Sequence, residues 1–137
     1  MQEFKASHQL GTLYQYIEAL SAVDITHVRP HLLRYNAPAG NVTLKVYDST
    51  DRLVKASSAV AITDIFSNAY AHGYYPFEIN MQLNAGVYKF LLEVDGYAFA
   101  ANHYLGWCND YDLRKYTKGY AEADVLKAPL NMEIWTL

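Results

Sequence analysis

The feature that most constrains the fold of this chain is a regular alternation of apolar and polar residues through its centre. In residues 42–47 the aliphatic side chains occupy every second position, with polar residues or tyrosine between them. Residues 77–83 and 87–94 repeat the pattern. Because successive side chains of a strand point to opposite faces of a sheet, each segment predicts a strand with one buried face.

Turn-forming residues follow these segments. Residues 48–51 combine Asp, Ser and Thr, whose side chains bond to nearby backbone, so residues 53–56 are expected to return beside the strand before them. Asn84-Ala85-Gly86 predicts a second turn, after which residues 87–94 are expected to run back as the partner of the preceding strand. Asp95-Gly96 is a favoured hairpin dipeptide, since glycine accepts a positive φ.

Short strands separated by regularly spaced turns are typical of an antiparallel sandwich or barrel. We therefore expect an all-β fold, an antiparallel β-sandwich with a jelly-roll-like topology. A chain of 137 residues, 52% of them hydrophobic, is long enough for one core. No linker, charge run or repeat marks a boundary, so residues 1–137 are predicted to form a single β-sandwich domain.

The two ends of the chain carry less regular patterns. Residues 10–22 fit both helical and alternating spacing, so helix and strand stay open there, with strands favoured. Pro30 breaks any helix around it, and residues 31–35 predict a strand. Residues 130–135 alternate again and predict a terminal strand, whereas residues 106–124 show no period and predict a loop.

Charge and hydropathy exclude several classes of partner. The net charge of −3 leaves no basic stripe to release counterions from nucleic acid, so we expect no nucleic-acid binding. No apolar stretch approaches the ~20 residues of a membrane helix, and the start lacks a secretory signal, so no membrane association is expected. Cys108, as a single cysteine, cannot form an internal disulfide, which suits synthesis in a reducing cytoplasm.

The segments GNVTLKVYDSTDRLVKASS and YYPFEINMQLNAGVYKFLLEV, which lie within residues 40–94, resemble the strand pairs of jelly-roll modules. Such modules occur in tailed-phage virion proteins and in carbohydrate-binding domains. The resemblance implies that residues 84–88 open a long strand across the core. Residues 104–112 also resemble the aromatic and acidic loops of phage surface proteins.

The absence of a secretory signal and of a linker favours the virion class over secreted carbohydrate-binding modules. The expected function is therefore that of a non-enzymatic structural protein, a jelly-roll subunit that decorates or cements a phage capsid or tail. Its expected location is the virion, and its expected partners are other virion proteins or copies of itself. The alternative is a carbohydrate-binding or receptor-binding module, in which loop aromatics hold a glycan.

Aromatic residues provide the candidate binding site. Thirteen tyrosines exceed what a small core can bury, because each hydroxyl needs a hydrogen-bond partner or water. Two groups lie in segments expected to form loops at the rim of the sandwich, where rings can stack on sugars or anchor a protein interface. The candidates for interface or sugar-stacking contacts are Tyr70, Tyr74, Tyr75, Tyr104, Trp107, Tyr111 and Tyr116.

Catalytic and metal chemistry find little support in the sequence. No nucleophile elbow, phosphate loop or dinucleotide motif is present, so no catalytic residue and no cofactor are assigned. His27 and His31 would stand ~13 Å apart on a strand, too far for one metal ion. The nearest approach to a calcium site is the oxygen-bearing set Asn109, Asp110 and Asp112, which provides only part of a calcium shell and is not assigned as a metal site.

Overall fold

The computed structural model describes residues 2–3, 12–68, 70–97, 100, 102–107, 121–122 and 132–136. Nearly all regular structure in this part of the chain is β. The strands are β1 (Gln2–Glu3), β2 (Thr12–Ala19), β3 (Val23–Tyr35), β4 (Asn41–Tyr47), β5 (Leu53–Ala56), β6 (Val60–Ala61), β7 (Tyr70–Tyr74), β8 (Phe77–Leu83), β9 (Gly86–Asp95), β10 (Tyr104–Trp107), β11 (Ala121–Glu122) and β12 (Met132–Thr136). A short 3-10 turn, Ile62–Asp64, follows β6. Among the described residues there is no helix of the length and apolarity needed to cross a membrane.

These strands form two antiparallel sheets that pack against each other. The first sheet has the order β1-β10-β3-β12, and β7 and β8 also pair with β3. The second sheet has the order β11-β2-β9-β4-β5, with β6 added beside β4. The prediction of an all-β antiparallel sandwich is therefore confirmed, while its jelly-roll topology stays a prediction.

The core lies between the sheets and follows the predicted alternation. On β4, Val42, Leu44 and Val46 are fully buried, and the residues between them are half-buried. On β9, Phe90 and Leu92 are fully buried, as the period of two requires. The largest fully buried side chains are Trp107, Phe77, Phe90, Leu13, Ile25, Leu32, Leu44, Ile62, Ile65, Ile79 and Leu83.

The long strand β3 is the centre of the first sheet. Its first half pairs with β8 on one side and β12 on the other, and its second half pairs with β7 and β10. Pro30 lies opposite the gap between the end of β7 and the start of β8. Its carbonyl accepts a 3.0 Å hydrogen bond from the amide of Tyr75, a residue in that gap. Proline has no N–H to donate, so this break in the ladder is a position where a central strand tolerates it.

The expected hairpin between residues 77–83 and 87–94 is wrong. β8 pairs with β3 in the first sheet, whereas β9 lies between β2 and β4 in the second. The turn at residues 84–86 thus carries the chain across the sandwich, and the residues after Asp95-Gly96 also lead to a strand of the other sheet, β10. Alternation shows only that one face of a strand is buried. The pattern is the same whether the next strand lies beside it in the same sheet or opposite it in the facing sheet, so it cannot distinguish the two arrangements.

The less regular segments are also strands where they are described. Residues 12–19 form β2, which answers the open question of helix or strand, and Gln15 is buried on its inner side with Leu13 and Ile17. The terminal strand is confirmed as β12. The predicted loop at residues 106–124 is wrong at two places, since residues 106–107 belong to β10 and residues 121–122 form β11. Residues 108–120 lie outside the described part.

Arg34 fixes one end of the sandwich. Its side chain is buried and its Nη1 donates to the carbonyls of Thr63 and Phe66, both at 2.8 Å. Its Nε donates to the Asn36 carbonyl at 2.7 Å. Phe66 has a φ of 64°, a left-handed conformation that is unusual for a bulky residue. The guanidinium therefore holds the strained turn after the 3-10 segment onto the end of β3.

Two glycines allow a direct test of how closely residue 40 approaches the end of β9. Gly40 has a φ of 110°, and a Cβ there would lie 2.5 Å from the Asp95 carbonyl oxygen. Gly86 also has a positive φ, 147°, but a Cβ there would meet nothing within 4 Å. We expect Gly86→Ala to lower the free energy of unfolding by about 1–2 kcal/mol through backbone strain alone, and Gly40→Ala by at least about 3 kcal/mol, since a backbone clash adds to the strain.

Urea denaturation followed by circular dichroism measures both variants of this pair. Equal destabilisation of the two variants would contradict the close approach of residue 40 to the end of β9.

Candidate functional site

The outer side of the first sheet carries a continuous set of ring-bearing and charged side chains. Odd-numbered residues of the second half of β3 point away from the core, and the register pairs them with outward residues of β7, β10 and β12. We call this set the aromatic face. It consists of His27, Arg29, His31, Tyr35, Tyr70, His72, Tyr74, Tyr104, Glu133 and Trp135.

Three tyrosines form a row across the strands at one end of the aromatic face. Tyr35 on β3 pairs in register with Tyr104 on β10 and with Tyr70 on β7. The Tyr35 and Tyr104 rings are stacked, with centroids 5.4 Å apart and planes 3° apart. Tyr70 meets Tyr35 edge to face at 5.2 Å and is 61% exposed. Cross-strand aromatic pairs of this kind stabilise a sheet and fix the ring positions.

Two histidines and a tyrosine lie at the middle of the face. The His31 and Tyr74 rings are stacked, with centroids 4.9 Å apart. His31 Nε2 and His72 Nδ1 are 3.1 Å apart, a hydrogen-bond distance between β3 and β7. From the sequence, His31 was compared only with His27 on the same strand. The antiparallel register brings together histidines that are 41 positions apart in the chain.

A cation and an indole occupy the other end of the face. The Arg29 guanidinium lies 4.2 Å from the centroid of the Trp135 ring, and its Nη1 donates to Glu133 Oε1 at 3.1 Å. His27 also contacts Trp135, edge to face, with ring centroids 6.0 Å apart. Since the ion pair is partly exposed, it contributes at most about 1 kcal/mol, so its main effect is to hold the guanidinium over the indole.

The structure separates the predicted tyrosines into two groups. Tyr70, Tyr74 and Tyr104 lie on the aromatic face. Tyr75 instead packs toward the core, edge to face with Phe66 and Phe77 at centroid distances of 6.0 and 5.4 Å. Burial raises the pKa of the Tyr75 phenol, and the negative charge of Asp64 raises it further. Tyr75 is therefore a packing residue, and its assignment to the binding surface is not supported.

Trp107 is also corrected by the structure. It is fully buried, because β10 pairs Trp107 with Leu32, a residue of β3 that faces the core. The sequence analysis placed Trp107 in a rim loop, where its ring could stack on a ligand. As a strand residue of inward register, it contributes to stability instead. Trp135 is the tryptophan that reaches the surface, at 46% exposure.

Several sequence candidates lie outside the described residues. These are Tyr111, Tyr116 and the calcium candidates Asn109, Asp110 and Asp112, as well as Cys108. Within the described part of the chain, no group of three or more His, Cys, Asp and Glu side chains is placed to hold a metal ion together. Ser57 Oγ accepts the Leu44 amide and donates to the Ser58 carbonyl, so it acts as a strand-end residue.

The sequence analysis missed Tyr35, Arg29, His31 and Trp135 as members of one surface. The available signal was the run of residues 27–35, in which the odd positions carry rings, a guanidinium or leucine. Pro30 drew attention to the end of a helix, whereas the strand continues through it. The missing information was the set of neighbours of β3, which no local pattern contains.

The outer side of the second sheet carries a cation–aromatic cluster of its own. Lys89 Nζ lies 5.4 Å from the Tyr14 ring centroid, 4.9 Å from that of Tyr47 and 2.8 Å from Asp51 Oδ1. A cation held between two rings and a carboxylate is satisfied within the molecule. This side therefore provides a comparison surface for the aromatic face.

The two tryptophans provide a test of these assignments. We expect Trp107→Ala to lower the free energy of unfolding by about 3–5 kcal/mol, since it leaves a cavity in the core. Trp135→Ala should cost no more than about 1 kcal/mol, from loss of the Arg29 contact. In Trp135→Phe, the remaining fluorescence should be blue-shifted and protected from acrylamide quenching. Strong quenching in that variant would show that Trp107 is accessible.

Comparisons with known proteins leave the assignment to the geometry of the site. A scan against protein-family models found no match, and a search of curated proteins found none either. The resemblance to virion and carbohydrate-binding modules therefore stays a prediction, and the aromatic face is the feature from which a function can be argued.

Proposed function

We propose that this chain is a non-enzymatic, virion-type structural protein, a jelly-roll subunit that attaches to a capsid or tail protein through its aromatic face. The observation that carries the proposal is the set of tyrosine, tryptophan and arginine side chains, half-buried or exposed and in contact with one another, on the outer side of the first sheet. The proposed location is the virion, and the proposed partners are other virion proteins or further copies of the chain.

The composition of the aromatic face matches that of protein interfaces. Tyr, Trp and Arg are the residues most enriched among those whose truncation costs the most binding energy. Tyr70 and Trp135, at opposite ends of the face, are among the most exposed large apolar side chains in the described residues. Burial of both against a partner would supply two anchors.

The orientation of the rings favours a protein partner over a sugar. A sugar stacks on the flat side of an aromatic ring. In the aromatic face, Tyr35 and Tyr104 stack on each other, Tyr74 stacks on His31, and Trp135 is covered on one side by Arg29. Ring edges and polar groups are then left for a partner, which suits hydrogen bonding and edge contacts with protein side chains.

The rings are also held in place before a partner arrives. Stacking across strands and the Arg29–Glu133 ion pair restrict the rotamers of most members of the face. Each side chain that is already ordered saves about 0.5–1.5 kcal/mol of ordering cost on binding. A preordered surface on a sheet is therefore better suited to a stable attachment than the same residues would be on loops.

The size of the face indicates that it forms the centre of an attachment surface. From residue 27 to residue 35, β3 extends about 26 Å. With one neighbouring strand on each side of β3, the face is about 10 Å wide between the outer backbones. With side chains added, the area is on the order of 500 Å², against roughly 800 Å² per partner in a standard interface. Neighbouring loops would complete the contact.

A carbohydrate-binding function is the second candidate. It is favoured by the exposure of Tyr70, at 61%, and of Trp135, at 46%. In this case the two residues would act as separate stacking positions on the sheet surface. A glycan array distinguishes this function, because a positive signal should disappear in Trp135→Ala.

The proposal is tested on purified particles. We expect an antibody against the chain to detect it in virions banded by density gradient. On particles stripped of the chain, the double variant Tyr70→Ala/Trp135→Ala should rebind at least about 100-fold more weakly than the natural chain, measured by co-sedimentation, since it removes two anchors.

The matched control is Tyr16→Ala/Leu53→Ala, which removes a tyrosine and an exposed apolar residue from the second sheet. This variant should rebind like the natural chain. Absence of the chain from the particles, or equal loss in both double variants, would overturn attachment through the aromatic face.

A further inference from the structure

We propose that His31 and His72 form a two-ligand binding site for a divalent transition-metal ion of the zinc, nickel and copper class. The site lies on the aromatic face, but the inference stands on the geometry of the two histidines alone. It does not depend on the role of that face in attachment.

The distance between the two ring nitrogens suits one metal ion. His31 Nε2 and His72 Nδ1 are 3.1 Å apart. With metal–nitrogen bonds of about 2.0–2.1 Å, this separation gives a nitrogen–metal–nitrogen angle of about 100°. That angle lies between the values of square-planar and tetrahedral coordination, the geometries that copper, nickel and zinc adopt.

The sheet places the two rings so that they converge. In the register between β3 and β7, His31 pairs with Tyr74, and His72 is two residues before Tyr74 on the same face. The histidines are thus diagonal neighbours across two hydrogen-bonded strands, within reach of each other's side chains. The Tyr74 ring stacks on His31 at 4.9 Å and restricts its orientation. Both ligands therefore come from rigid strands.

Metal binding requires a defined change at these nitrogens. At the present distance one ring nitrogen donates its proton to the lone pair of the other. To bind a metal, the donor nitrogen must lose that proton, and a shift to the other nitrogen of the same ring keeps the imidazole neutral. Both lone pairs can then point at one ion, with water completing its coordination on the exposed side.

The neighbouring charges permit a cation at this position. Among the described residues, the Arg29 guanidinium lies 6.0 Å from the Tyr74 ring centroid. It is held in an ion pair with Glu133, which offsets much of its charge. Two imidazole ligands select borderline transition metals over magnesium or calcium, which require oxygen ligands. Two ligands also predict weaker binding than a four-ligand structural zinc site.

The test is a titration of the full, untagged chain with zinc chloride at pH 7.5, by isothermal calorimetry. We expect binding of one zinc ion with an affinity that falls at least about tenfold in His31→Gln and in His72→Gln. The matched control is His27→Gln, which removes a histidine from the same face and strand and should leave the affinity unchanged. Magnesium chloride should give no binding heat.

Two further measurements make the result decisive. On addition of zinc, the ring-nitrogen resonances of His31 and His72 should shift, while those of His27 stay in place. Affinity should also fall between pH 7.5 and pH 5.5, because protons compete with the metal ion for the ligand nitrogens.

Thermal unfolding checks that the variants fold. If His31→Gln does not fold, the exposed His72→Gln decides the question. No zinc binding by the natural chain, or equal affinity in His72→Gln, would overturn the site.

Discussion

The first sheet depends on one strand that serves four partners. β3 pairs with β8 and β12 through its first half and with β7 and β10 through its second, so every strand of that sheet except β1 is hydrogen-bonded to it. Its inward residues contribute to the core, and its outward residues provide four of the ten members of the aromatic face. A change that displaced β3 would therefore alter packing and surface together.

The aromatic face illustrates how a surface arises from register rather than from a motif. Tyr35, Tyr70 and Tyr104 are far apart in the sequence, and they meet because antiparallel pairing sets them side by side on three strands. The same pairing brings His31 to His72 and Arg29 to Glu133. The proposed attachment surface and the proposed metal site are thus both products of the neighbours that β3 acquires on folding.

Much of the secondary structure could be predicted from the sequence, because alternation reports directly which residues face the core. It located β4, β8 and β9 nearly to the residue. Alternation contains no information on which strand lies alongside, so the partners of β8 and β9 were missed. The same gap explains Trp107, whose inward position follows from its pairing with Leu32, and the site, which was expected on rim loops rather than on a sheet surface.

Pro30 divides the first sheet into two halves, and the consequence concerns its mechanics. On the side of β7 and β8, the backbone ladder is interrupted there and is bridged by the Tyr75 amide. Tyr74 contacts both residues that flank the proline. Its ring stacks on His31, and its backbone carbonyl accepts a hydrogen bond from Arg29 Nη2. The Arg29 side chain thus joins the two halves beside the Tyr75 amide, so twisting of one half against the other would change the distance between Arg29 and Tyr74.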